Sequence, residues 1–122
     1  MRIDYDLLRD ILKQVADCED VHGLNAPDME RHGYDDEVIA WHLDLLLQED
    51  YLTMLRCRTL GCPTLANYYQ IKFTMKGQEF FDSISSNKIW NAIKEKAKLL
   101  DTGISIELIK QAVPIVLKGL LE

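Results

Sequence analysis

Apolar and polar residues change their spacing most clearly between Tyr34 and Leu52, in YDDEVIAWHLDLLLQEDYL. At about 100° per residue, Ile39, Leu43, Leu46 and Leu47 share one side of a helix with His42 near its edge, while Glu37, Ala40, Trp41, Asp44 and Gln48 fall opposite. Asp35 is placed to cap this helix with its carboxylate, and Tyr34 and Ile39 have the spacing of a hydrophobic staple. Tyr51–Arg58 then reads as a strand.

The same patterning extends to both sides. Asp4 is set to cap a first helix, with Ile3 and Leu8 as its staple and Tyr5, Leu8, Ile11, Leu12 and Val15 recurring down to about Cys18. From Glu19 to Gly33 the glycines, Asn25 and Pro27 interrupt any period, which leaves a short extended piece and one helical turn around Asp28–Arg31. The Gly and Pro of TLGCPTLAN, residues 59–67, mark a turn, and YYQIKFT, residues 68–74, restores strand residues, so two strands close a hairpin. Thr74 is the expected cap of a third helix through Phe80, Phe81 and Ile84, in which Gly77 permits close approach of a neighbouring backbone. Asn87 is the expected cap of a fourth, carrying Ile89, Trp90, Ile93, Ala97 and Leu100 and ending at Gly103. Ser105 opens a fifth, stapled by Ile104 and Ile109; its apolar residues surround most of its circumference, and Pro114 is expected to kink or split it.

Helix, irregular piece, helix, strand, loop, strand, helix is the winged-helix order, a helix-turn-helix variant whose hairpin is the wing. The expected fold is therefore mainly α within the α+β class. A winged helix-turn-helix core with a β-hairpin wing occupies residues 1–85, and a C-terminal two-helix extension, residues 86–122, packs on the core or forms a dimer interface. The segments GYDDEVIAWHLDLLLQEDYL, TMKGQEFFDSI and IWNAIKEK resemble an uncharacterised family of short bacterial and prophage proteins, a domain of unknown function, with a more distant similarity to YjcQ-like proteins. This resemblance implies a winged helix with no established activity, and such relatives often carry His where this chain has Gln78.

Composition changes the picture mainly through charge. The 122 residues are 48% apolar, enough for one core. The net charge of −6 conceals a split: residues 1–50 hold 4 Lys/Arg against 14 Asp/Glu, and residues 51–122 hold 10 against 6. Halves of opposite sign suit head-to-tail contact or partners of opposite charge, and equally two solvated faces. With no arginine-and-apolar leader, no apolar run near ~20 residues and an odd set of three cysteines, the expectation is a cytoplasmic protein with free thiols and no membrane partner.

Candidate chemistry is sparse. Cys18 with His22 and Cys57 with Cys62 lack the spacing of a zinc knuckle, so no metal is expected. No nucleophile elbow, phosphate-cradling glycine loop or HExxH pair is present, which leaves no cofactor, no catalytic residue and a non-enzymatic reading. A helix in the major groove brings Arg, Lys, Asn or Gln to bases and phosphates, yet no Lys or Arg occurs from His32 to Leu55. DNA binding would fall to Arg56, Arg58 and Lys72 on the wing and to the lysines from Lys88 to Lys98. The favoured alternative is a protein interface made of Glu37, Trp41, Asp44 and Gln48, with Trp41 as an anchor ringed by polar groups. The C-terminal helix offers a second possible cover for Trp41, or the means of homodimer formation.

Overall fold

A computed structural model of the chain describes residues 1–56, 65–99 and 106–121. These form helices α1 (Tyr5–Asp17), α2 (Asp36–Gln48), α3 (Met75–Ile84), α4 (Asn87–Leu99) and α5 (Ile106–Leu121), and strands β1 (Leu52–Arg56) and β2 (Tyr68–Phe73). Short 3-10 turns occupy Ala26–Asp28 and Leu65–Asn67. The fold is α+β, mainly helical, with an antiparallel β1–β2 hairpin in a winged-helix-like layout. Cys57, Arg58, Cys62, most of the wing loop, Leu100, Gly103, Ile104 and Ser105 lie outside the described residues, as do the side chains of Ala97 and Lys98. The chain divides into two units, Met1–Phe80 and Phe81–Glu122.

In the first unit, Asp4 caps α1 as its position predicts, its Oδ1 accepting the Leu7 N–H at 3.1 Å. Leu8, Ile11, Leu12 and Val15 are buried; Leu7 joins them, while Tyr5 is only half-buried. Helix α2 buries Ile39, His42, Leu43 and Leu46, and also Ala40, which helical phase alone had put on the outer side. The buried arc from His42 to Ala40 is about 160° wide, because α2 packs against α1 on one side and against β1 and the second 3-10 turn on another. Asp35 stands at the N-cap, but its carboxylate makes no capping bond and stays in solvent; only its carbonyl serves the helix, accepting from Ile39 N–H at 3.1 Å. The extended piece is a single bridge, Leu24 to Ile71, and the helical turn comes earlier than expected, at Ala26–Asp28. Gly23 makes that bridge possible: its φ is +97°, and a Cβ there would lie 2.7 Å from the Ile71 carbonyl oxygen.

The exit from α2 organises the unit. The Tyr51 N–H donates to the Leu46 carbonyl at 2.9 Å and the Asp50 N–H to the Leu47 carbonyl at 3.1 Å, the paired bonds of a Schellman motif. Asp50 takes the left-handed position usual for glycine, at φ +63°. Tyr51 is fully buried; its ring stacks on Phe80 with centroids 4.7 Å apart, and Lys76 Nζ lies 4.9 Å above it. Thr74 caps α3, accepting the Gly77 N–H on its Oγ1 at 2.9 Å and donating the same hydroxyl to the Asp50 carbonyl at 2.6 Å. Gly77 then lies so close to Tyr51 that a Cβ would sit 1.8 Å from the Tyr51 carbonyl oxygen.

In the second unit α4 and α5 pack on each other, with Trp90 and Ile93 buried on α4 and Ile109, Ala112 and Val113 buried on α5. Ser86, not Asn87, caps α4: its carbonyl accepts from Trp90 N–H at 2.9 Å and its hydroxyl from Ile89 N–H at 3.4 Å. Pro114 does not split α5, which continues through it to Leu121. On α5, Ile115 is 56% exposed.

Two substitutions test the Tyr51 junction. Gly77→Ala forces backbone apart and is expected to cost at least about 3 kcal/mol, read as a fall in the urea midpoint. Asp50→Gly relieves the left-handed backbone and removes a carboxylate from a helix C-terminus, for an expected gain of about 0.5–1 kcal/mol. A tolerated alanine at position 77 would contradict the packing described.

Candidate functional site

Helix α2 precedes the hairpin in the winged-helix-like layout, and its outward side carries the residues expected to form a protein interface. Glu37, Trp41, Asp44 and Gln48 lie at i, i+4, i+7 and i+11 and form one stripe about 60° wide. Glu37 and Gln48 are exposed, and Trp41 and Asp44 are half-buried. Trp41 meets the buried His42 edge-on, with ring centroids 5.1 Å apart and planes at 75°, which holds one side of the indole.

Asp44 does not simply face solvent. Its Oδ1 accepts from the Tyr68 hydroxyl at 3.0 Å and from Arg56 Nη1 at 3.1 Å, so one carboxylate ties α2 to both strands of the wing. Arg56, a candidate for nucleic acid by sequence, and Asp44, a candidate for protein, form a single ion pair. Burial, then the hydrogen bond to Asp44, pushes the Tyr68 hydroxyl up to about 12.

Hairpin register separates the remaining basic candidates. Arg56 is opposite Tyr68, Leu55 opposite Tyr69, and Thr53 opposite Lys72. Because side chains alternate along β1, Arg56 lies on the α2 side with Tyr68, whereas exposed Lys72 lies on the outer side with Leu55 and Tyr69. Arg56 and Lys72 are therefore not one surface; Arg58 lies outside the described residues. The register shift between Thr53 and Leu55 falls opposite Gln70, which adopts φ +54° and donates its N–H to Asn25 Oδ1 at 3.2 Å. That bulge has no glycine to announce it.

A second polar node joins the starts of α1 and α2. The Asp4 N–H donates to His42 Nε2 at 2.9 Å, and His42 Nδ1 lies 2.7 Å from the Val38 carbonyl. A carbonyl only accepts and a backbone N–H only donates, so the ring carries its proton on Nδ1. Tyr34 donates to Asp4 Oδ2 at 2.7 Å, and this bond, followed by burial, pushes the phenol up to about 12. His42, expected near the core edge, is fully buried with both nitrogens engaged and serves the fold. Beside α1 a cavity of about 380 Å³ is lined by Asp10, Asp17, Asp28 and Glu30 among others, with Lys13 and His32 also on its wall. Among the described residues no group of His, Cys, Asp and Glu could hold a metal ion, and no helix is long and apolar enough to cross a membrane.

The fold is a winged-helix-like α+β module whose second helix carries an acidic, tryptophan-bearing outward stripe. The chain belongs to the DUF2513 family, described only as hypothetical proteins, whose profile matches residues 2–105. Neither a comparison with curated proteins nor one with solved structures finds a match.

Tyr68 gives a test of the network through pH. Its proton is retained to about 12 in the fold, against an ordinary value of 10.0. The native state therefore binds more protons than the unfolded chain between those values; the stabilisation is complete below the lower one and is lost as pH rises through the upper. Tyr68→Phe is expected to lose about 1 kcal/mol at neutral pH and to show a shallower decline in stability above pH ~10 than the parent. Equal alkaline slopes in a pH series of urea titrations would remove Tyr68 from this role.

Proposed function

We propose that this chain is a non-enzymatic winged-helix protein of bacterial or prophage type, acting in the cytoplasm as a protein-interaction and regulatory module through Glu37, Trp41, Asp44 and Gln48. One observation carries the reading: Arg56, the basic side chain that reaches the outward stripe of α2, is already held by Asp44 of that stripe. The stripe has no further Lys or Arg of its own between His32 and Leu55. Such a face repels phosphate and presents an aromatic anchor to a protein. The distant likeness to YjcQ-like proteins adds only a fold to this reading.

The alternative is a DNA-binding transcriptional regulator using the wing and the C-terminal lysines. Exposed Lys72 on the outer side of β2 is the observation in its favour. In both readings the last helix of the chain is proposed to support a homodimer, for which light scattering at tens of micromolar is expected to return twice the 14.1 kDa chain mass. A monomeric mass removes the dimer.

The two functions part in one pair of assays. The expected result is no shift of random duplex DNA at physiological salt, together with capture of a host protein that is lost with Trp41→Ala while the domain stays folded. Tight, salt-sensitive DNA binding abolished by Arg56→Ala with Arg58→Ala would instead make the protein repressor-like.

A further inference from the structure

Resting on that reading of the α2 stripe, we propose the chemistry of its partner: a protein segment rich in Lys and Arg, carrying an apolar side chain that covers Trp41. Charge supplies the first argument. At the start of α2, Asp35 and Glu37 are exposed and neither is ion-paired among the described residues. The basic side chain beside them, Arg31, is already committed to Asp36 and to the carbonyls of Pro27 and Met29. At the wing end Arg56 is committed to Asp44. The field along the stripe is thus negative, with its local cations already engaged, and a cationic partner is drawn to it while a polyanion is repelled.

Trp41 supplies the second argument. It is half-buried, and the T-shaped contact with His42 limits the orientations of its ring, so little rotamer freedom is left to lose on docking. With the unpaired Glu37 one turn before it on the stripe, the indole suits an Arg or Lys stem laid across its face with the charged head reaching Glu37. A second copy using the same face is a poor occupant, because an isologous contact sets these carboxylates against one another.

The test uses the full chain and a fluorescein-labelled helical peptide bearing four Arg and one Leu on one side, read by anisotropy, with an Arg→Glu version as control. Expected are binding of the Arg peptide only, a loss of about tenfold or more in affinity from about 50 to about 300 mM salt, and a further loss of about tenfold in Asp35→Lys with Glu37→Lys. Asp17→Lys with Glu19→Lys, which changes net charge equally at exposed positions off the stripe, is expected to leave more of the affinity in place. Absence of peptide binding, or equal losses in the two charge-reversed proteins, overturns the proposal. Failure of the underlying reading looks different. If a captured host protein needs Trp41 but is held unchanged by Asp35→Lys with Glu37→Lys, the interaction module survives and its basic partner does not. If capture ignores Trp41, both fall.

Discussion

Gly77 lying against the carbonyl of Tyr51 is the contact on which the first unit depends. Tyr51 ends the Schellman turn of α2, precedes the first residue of β1, and accepts the Thr74 N–H at 3.2 Å where β2 ends. Three successive elements thus meet at one residue. The α3 backbone closes on it at a distance that a Cβ would forbid, and the Phe80 ring covers the Tyr51 side chain from the next turn. Lys76 adds its ammonium to the Glu49 carbonyl at 3.0 Å, at the negative end of the α2 dipole. With the hairpin fixed to the end of α2 in this way, Asp44 one turn earlier is in reach of both Arg56 and Tyr68. The surface chemistry of α2 is a consequence of the junction beneath it.

Much of this was legible because it is written in local rules. Asp4 and Thr74 cap where their spacing says, Gly77 makes the close approach its place in a first turn suggests, and the hairpin forms from the strands its turn residues bracket. The departures arise where tertiary context chooses among locally equivalent options. Ser86 and Asn87 are both good capping residues, and the chain uses the first. Asp35 keeps the cap position without the bond. Ala40 is buried because α2 is covered from two directions, which a single-face projection cannot anticipate. Pro114 removes one donor, but α5 continues through it; a single missing bond does not outweigh packing along the rest of the helix.

The candidate site was legible as a face and not as a network. Helical phase alone puts Glu37, Trp41, Asp44 and Gln48 on one stripe. That Asp44 reaches across to the wing depends on strand register, and register depends on a bulge at Gln70, a non-glycine residue in a left-handed conformation held by Asn25. No turn signal in the sequence marks that residue, so the separation of Arg56 from Lys72 onto opposite sides of the hairpin was hidden with it. His42 illustrates the same limit: its place beside the apolar stripe was visible, but its bond to the Asp4 backbone joins residues far apart in sequence.

The Asp44–Arg56 pair decides more than stability. It is partly solvated, with side chains 23% and 38% exposed, so as an ion pair it contributes little free energy. Its effect is on what the face can bind. Phosphate affinity grows with the number of cations that replace condensed counterions, and this pair withdraws Arg56, the arginine that reaches the α2 stripe, from that count. Releasing Arg56 to a phosphate would expose the Asp44 carboxylate to the same phosphate and leave it with Tyr68 alone. The gain from one contact is then set against a new repulsion. Along a stripe about 16 Å long, a winged-helix-like layout carries the inverse of the charge a DNA duplex requires, and the half-buried indole within it gives the face an apolar contact that a sugar-phosphate backbone would leave unused.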